Sequence, residues 1–422
     1  MTIALSENDK RMLDGLCGEA SRMAMSIIVR MANVCGTNEL MDICQAHIDG
    51  CGLMSDAGLE FAEKLAAAGG KVVVPTTLNM GPLDLQDWPK FVTDEVFASK
   101  ALRQGKAYTD MGCVPTWSCA PYQGYLTPRF GQQIAWGESN AICYANSVLG
   151  ARTNRYADYL DICAAITGRV PKCGLHLTEN RRGQWLLKLQ DFSPELLAEE
   201  VFWPVLGHLV GDMVHDKISV IEGLPKMATT DQLKAFGAAA ASAGSVALFH
   251  AVGLTPEAPT REAALQDMEP EQVTDITPDD WYRAWEDLAG AHEGDKLDVV
   301  VLGCPHFSFD EFRTLTEEIR AVAPARAADG VDVALLTCQQ SLSLVDRTDW
   351  LADIEAFGGR ITRDTCVFHT PMIRRDADVL MTNSGKCGYY APGTLDVKVA
   401  FGSIGDCVRS AVAGKVLRRR PG

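Results

Sequence analysis

The sequence predicts an α/β chain built from parallel sheets covered by helices. Three observations predict it. Short apolar runs such as 299–302 are too continuous for strands that face water on one side. Helical patterns lie between such runs, so successive strands return in the same direction. The runs end in polar or cysteine-bearing segments, which is where an open parallel sheet holds its ligands. The 422 residues are 47% apolar and 22% charged, ordinary globular usage that excludes a disordered, collagenous or coiled-coil chain. At about 150 residues per domain, two or three units are expected.

In chain order, residues 7–69 read mainly as helix. Ala20, Met23, Ala24, Ile27, Ile28 and Met31 recur at helical spacing, and a second stretch, 56–68, stops at Gly69-Gly70. The β-branched run 72–74 predicts a strand, with Thr76-Thr77-Leu78-Asn79 as the polar loop after it. Residues 245–249 predict another strand. The run 299–302 leads into Gly303-Cys304-Pro305-His306 and a helix from Ser308; 331–336 leads into Thr337-Cys338. Arg360-Ile361 precedes Thr362-Arg363-Asp364-Thr365-Cys366, and 377–381 ends in Thr382-Asn383-Ser384-Gly385-Lys386. The stretch 255–280, rich in Pro, Glu and Thr, reads as a connection. It separates a helical and α/β part, 1–255, from a C-terminal α/β part, 280–422. Residues 284–295 read as a solvated helix and its exit loop.

The net charge of −16 opposes binding to nucleic acid or an anionic membrane, and the basic run 415–420 reads as a solvated tail. No apolar run approaches the ~18 residues of a membrane span, and residues 1–22 lack the pattern of an export signal. A cytoplasmic location is expected, with the 14 cysteines reduced. Most should be small buried hydrophobes; Cys17, Cys35, Cys44, Cys143 and Cys163 fall in helical patterns and are expected in the core.

Three cysteines lie instead in loop-like segments: Thr116-Trp117-Ser118-Cys119-Ala120-Pro121-Tyr122, Gly303-Cys304-Pro305-His306 and Asp364-Thr365-Cys366. Three thiolates from remote loops would hold a metal centre with one position open, as Lewis-acid chemistry requires. Their spacing shows no compact metal signature. Two other readings stand beside this one: a structural metal site completed by a fourth thiolate, Cys338 or Cys387, and a bare Cys304 thiolate paired with His306. A second polar region runs from Trp136-Gly137-Glu138-Ser139-Asn140 to Asn146-Ser147-Val148-Leu149-Gly150-Ala151-Arg152-Thr153-Asn154-Arg155. It reads either as helix caps and packing hydrogen bonds or as the wall of a polar pocket.

At these residues the chain resembles the large subunit of the aconitase X family. The matching phrases are Ala46-His47-Ile48-Asp49-Gly50, Val74-Pro75-Thr76-Thr77-Leu78-Asn79, Ser118-Cys119-Ala120-Pro121-Tyr122, Trp136-Gly137-Glu138-Ser139, the stretch from Asn146 to Arg155, Gly303-Cys304-Pro305-His306 and Asn383-Ser384-Gly385-Lys386. They occur in order over nearly the whole chain. The resemblance implies an aconitase-like fold, with several α/β units around a central active-site cleft. It also implies a hydro-lyase that removes water from a hydroxylated carboxylic acid at an iron–sulfur cluster, in the 2Fe–2S or 4Fe–4S form. Cys119, Cys304 and Cys366 match the cluster ligands.

Gly50, Cys51 and Gly52, Asn79 and Met80, and Glu138 and Ser139 match substrate-site loops. Lys386 matches a basic residue suited to a carboxylate. His47, Asn154, Arg155, Asn383 and Ser384 are further substrate-site candidates. Lys386, Ser139 and Glu138 are the catalytic candidates. Two family activities compete: dehydration of cis-3-hydroxy-L-proline to Δ1-pyrroline-2-carboxylate, and dehydration of 5-phosphomevalonate. In the loop His47-Ile48-Asp49-Gly50-Cys51-Gly52 an acid favours a substrate with a secondary ammonium over a phosphate, so hydroxyproline is expected. Family members need a small swivelling domain. Nothing in this chain resembles it, so the resemblance implies a separate small subunit that supplies the serine handling the proton.

Overall fold

The computed structural model describes residues 2–90, 94–156 and 158–422. The chain forms two compact units, Met1–Arg182 and Gly183–Gly422. The N-terminal unit runs α1 (Glu7–Leu13), α2 (Glu19–Val34), β1 (Leu40–Asp42), β2 (Ala46–Ile48), α3 (Asp56–Ala67), β3 (Thr76–Leu78), α4 (Glu95–Asp110), β4 (Ala135–Trp136), α5 (Ser139–Ser147), α6 (Leu160–Thr167) and β5 (Arg169–Pro171). The small residues of α2 let it close on α6: Ala24, Met25 and Ile28 meet Ile162, Cys163 and Ile166 in one buried cluster, which also takes Ala46 and Ile48 of β2. β2 is the middle strand of a three-stranded parallel sheet, between β3 and β4.

The C-terminal unit runs β6 (Trp185–Leu189), α7 (Pro194–Ala198), α8 (Phe202–Val214), β7 (Ser219–Glu222), α9 (Thr230–Gly244), β8 (Phe249–Ala251), α10 (Arg261–Ala264), β9 (Gln272–Ile276), α11 (Pro278–Asp287), β10 (Val299–Leu302), α12 (Phe309–Val322), β11 (Asp332–Thr337), α13 (Gln339–Val345), α14 (Trp350–Phe357), β12 (Gly359–Arg363), β13 (Val379–Thr382), α15 (Gly385–Leu395), β14 (Lys398–Phe401) and α16 (Ile404–Ala413). Its two parallel sheets have the orders β8-β7-β6-β9 and β12-β11-β10-β13-β14. In the second, the chain leaves β10 toward one edge and returns on the other side at β13. The carboxyl ends of β10 and β13 therefore flank a topological switch point, the place where such sheets bind ligands.

The Ser308 prediction holds: its hydroxyl accepts from the Glu311 amide at 3.1 Å and the Glu311 carboxylate accepts from the Ser308 amide at 2.8 Å, a capping box that starts α12. Residues 7–69 are mainly helix as expected, with the short strands β1 and β2 between α2 and α3. Several expectations do not hold. The predicted strand at 72–74 lies outside the sheet, because the amides of Val72 and Val73 go to the carbonyls of Met111 and Ala165, and pairing with β2 begins at Thr76. The 245–249 strand starts only at Phe249, since Ser245 caps α9 in the left-handed region. Residues 255–280 are folded rather than a linker: β9 pairs along its length with β6. In the 284–295 stretch, Ala284 and Trp285 are buried. Cys143 and Cys163 are in the core, but Cys17, Cys35 and Cys44 are exposed, because each sits at or beyond an element end.

Candidate active site

In the N-terminal unit three loops leave the carboxyl ends of β2, β3 and β4. The register pairs Ile48 with Leu78 and His47 with Trp136, so one step past the first pair brings Asp49 level with Asn79, and two steps past the second bring it level with Glu138. Hydrogen bonds fix this arrangement. The Asn79 amide nitrogen donates to the half-buried Asp49 carboxylate, and the Asp49 backbone N–H donates to Asp161 at 2.6 Å. Glu138, at φ 66°, caps α5: its carboxylate accepts from the Ala141 amide at 3.0 Å and from the Asn140 side chain. The Asn140 amide also donates to the Cys119 carbonyl at 3.0 Å, and the Ser118 N–H donates to the Leu78 carbonyl at 3.1 Å. The loop carrying Cys119 is thereby tied to the same sheet end, with Cys119 half-buried.

This end of the sheet is acidic. Burial pushes the Asp49 carboxyl up to about 8, and the nearby charges of Glu138, Asp158 and Asp161 add to the rise while the Asn79 bond opposes it. Burial raises Asp161 to about 7, against backbone N–H donors from Asp49, Ile162 and Gly50 that favour the carboxylate. Asp158 is raised by burial, and its side chain meets Asp49. Both Asp49 and Asp161 stand above their unfolded value of 3.8. Between about pH 4 and pH 8 the folded protein holds protons that the unfolded chain releases, so stability falls as pH rises through that window. The thermal midpoint is expected to fall across this range, and Asp49→Asn to flatten the fall; an equal slope in the variant would contradict the assignment.

The remaining N-terminal candidates differ in position. Gly50 offers its carbonyl to Gln104 and Tyr108, both at 2.9 Å. Cys51 is buried, with its thiol directed at the carbonyls of Ile48, Asn79 and Met80, and burial holds its pKa well above the ordinary thiol value. Gly52 and Met80 are buried, and Ser139 opens α5. His47 is a core imidazole: burial lowers it to about 3, and its Nδ1 meets the Thr77 hydroxyl at 2.8 Å. Asn154 bonds within the fold, to the Cys173 carbonyl at 3.1 Å and the Leu175 amide at 2.7 Å. Arg155 is exposed. Asn146 clasps Thr153 through two backbone bonds, the packing role considered for that region.

In the C-terminal unit the carboxyl ends of β10, β12 and β13 carry the other candidates. Gly303 lies at φ 92° against the Leu336 carbonyl, a position closed to any side chain. The His306 Nε2 meets the Thr365 carbonyl at 2.7 Å and joins the Cys304 loop to the Cys366 loop. Ser384 caps α15 by accepting from the Cys387 amide at 3.0 Å, and its hydroxyl donates to the Cys304 carbonyl. Lys386 is half-buried in the first turn of α15, where helix dipole and side-chain charge both favour an anion. Asn383 donates to Glu200 at 3.0 Å.

Cys387 is buried beside Cys304, with Cys366 near enough to act on it. Contact with the Cys304 sulfur, then burial, raise its pKa well above the ordinary value. Among the described residues no group of three or more His, Cys, Asp or Glu side chains is arranged to hold a metal ion. Sequence reasoning missed Lys234 of α9. Burial alone would lower it, but Glu311 and Asp231 outweigh burial and hold it at about 12. It lines a small cavity with Gly303, Cys304, Glu311 and Ser384. A helical Lys carries no sequence signal that it will be buried.

A fold of two α/β units with strand-end loops rich in cysteine and acid is the class seen in aconitase-like enzymes. Family profiles match almost the whole chain: "Aconitase X first domain" over residues 2–179, "Aconitase X second domain" over 184–286 and "Aconitase X third domain" over 297–413. The chain belongs to the aconitase X family. It is similar to the Cis-3-hydroxy-L-proline dehydratase of Pseudomonas aeruginosa, at 40% identity over 96% of this chain and 70% of that protein. It is also similar to the Phosphomevalonate dehydratase large subunit of Methanocaldococcus jannaschii, at 34% identity over 96% of this chain and 99% of that one. The crystal structure of Thermococcus kodakaraensis aconitase X in its holo form matches with a TM-score of 0.86 at 30% identity, covering 97% of this chain and 100% of that one. No helix among the described residues is long and apolar enough to cross a membrane.

Proposed function

We propose that this chain is the large subunit of a cytoplasmic iron–sulfur dehydratase that removes water from cis-3-hydroxy-L-proline to give Δ1-pyrroline-2-carboxylate. The observation that carries the substrate choice is the gathering of Asp49, Asp158 and Glu138 at one sheet end. Such a site attracts the secondary ammonium of a hydroxyproline and repels a phosphate. The 40% identity to a hydroxyproline dehydratase supports the same choice. The chain's match to 99% of a relative named as a large subunit supports a separate small subunit as partner, which would complete the site.

Cys119, Cys304 and Cys366 are the proposed ligands of the cluster. Soft thiol donors on strand-end loops fit an iron–sulfur group, and Cys304 and Cys366 both neighbour Cys387. The cluster, when bound, supplies an open Lewis-acid position for a departing hydroxyl. The chain's own residues orient the substrate: Lys386 at the start of α15 takes the carboxylate, Asp49 takes the ammonium, and Glu138 and Ser139 form the wall beside Asp49. Asp49→Asn is expected to raise the KM for cis-3-hydroxy-L-proline by roughly 10- to 100-fold, the loss of the charged hydrogen bond that forms when Asp49 gives up its proton as the ammonium binds. An unchanged KM in a correctly folded variant would remove Asp49 from the binding role.

A further inference from the structure

The turn after α2 and the turn after β5 are held against each other. β1 and β5 pair antiparallel, with Leu40 opposite Pro171. The Lys172 amide donates to the Glu39 carbonyl at 2.9 Å, and the Lys172 and Glu39 side chains form an ion pair at 2.6 Å. This pairing brings Cys35, the residue that caps α2, to Cys173, and the two side chains are in hydrogen-bond contact. Cys35 is exposed and Cys173 is half-buried, and both are free thiols. They are thus open to solvent, unlike the buried Cys51 and Cys113.

We propose that Cys35 and Cys173 are a redox-modifiable dithiol, with Cys35 as the thiol oxidised by a hydroperoxide and Cys173 as the thiol that resolves it. The Cys35 sulfur attacks one peroxide oxygen and breaks the O–O bond, leaving a sulfenic acid and, with the thiol's proton, one water. The Cys173 sulfur then attacks the Cys35 sulfur and breaks its S–O bond; the departing hydroxide takes the Cys173 proton as a second water. Two thiols and one hydrogen peroxide give one disulfide and two waters. Exposure sets the order, since Cys35 meets the oxidant first. Burial and the Cys35 contact both raise the Cys173 thiol above its ordinary value. The modification would be felt by Asn154, whose amide nitrogen lies 3.7 Å from the Cys173 sulfur and 3.1 Å from its carbonyl oxygen. The inference does not depend on the dehydratase reading.

The full chain, reduced and then treated with graded hydrogen peroxide, is alkylated, digested without reductant and analysed by mass spectrometry. The expected product is a Cys35 peptide joined to a Cys173 peptide, at a mass two hydrogens below their sum and lost on adding a thiol reductant. Cys173→Ser should stop the reaction at a Cys35 sulfenic acid that dimedone traps, and Cys35→Ser should leave Cys173 fully alkylatable. Recovery of Cys35 as sulfinic acid, or still reduced, while Cys173 stays alkylatable would overturn the proposal. So would joining of Cys35 to Cys17 or Cys44 instead.

Discussion

Replacing Cys119, Cys304 or Cys366 by Ser, one at a time, is expected to abolish both the visible absorbance and the turnover of protein reconstituted anaerobically with iron and sulfide. Ser presents a hard oxygen of far higher pKa where a soft thiolate is needed, so the loss is of the donor rather than of the fold. The surroundings favour this outcome. Cys119 and Cys366 are half-buried on loops rather than packed in the core, and Cys304 leaves the sheet at the switch point between β10 and β13. Cys387→Ala supplies the contrast. It removes a buried thiol beside Cys304 but leaves the three proposed ligands, so iron and sulfide contents should persist. Loss of iron in that variant would instead indicate a four-thiolate structural site. Coloured, active protein after all three substitutions would remove the cluster from the account.

Gly137→Ala is expected to lower turnover by at least about 100-fold and stability by about 1–3 kcal/mol, the usual range for overpacking. A Cβ at Gly137 would stand 2.5 Å from the Asp49 Cβ and 2.9 Å from both the Asp161 carboxylate and the Asp49 amide nitrogen. The backbone cannot yield easily, because the Gly137 amide donates to the His47 carbonyl at 2.8 Å within the ladder. The added methyl must part Asp49 from Asp161, and the carboxylate proposed for the substrate ammonium moves with it. Denaturant unfolding gives the stability term and steady-state kinetics the other. Wild-type kinetics in Gly137→Ala would mean that Asp49 is not held for catalysis.

Much of the C-terminal site was legible in the sequence. Apolar strands of four or more residues ending in Gly303-Cys304 and Asn383-Ser384 carry their own signal, and a parallel sheet places such ends together. The N-terminal site was less legible. β2 and β4 are three and two residues long, too short for periodicity to register, and Val72-Val73-Val74 offered a stronger but false strand signal. The acidic group depends on bonds such as that between Asp49 and Asp161, 112 positions apart, which local pattern cannot foresee. Asp49, Asn79 and Glu138 were visible as candidates, but Asp158 and Asp161 beside them were not. The 255–280 stretch misled by composition: Pro278 starts α11 and residues 272–276 form β9, so the segment is folded into the C-terminal unit rather than marking a boundary.

The most direct test is to reconstitute the chain with its small subunit, iron and sulfide, and to assay cis-3-hydroxy-L-proline and 5-phosphomevalonate side by side. The account predicts dehydration of the hydroxyproline, with little or none of the phosphate ester. Preferential turnover of 5-phosphomevalonate by the same preparation would contradict it.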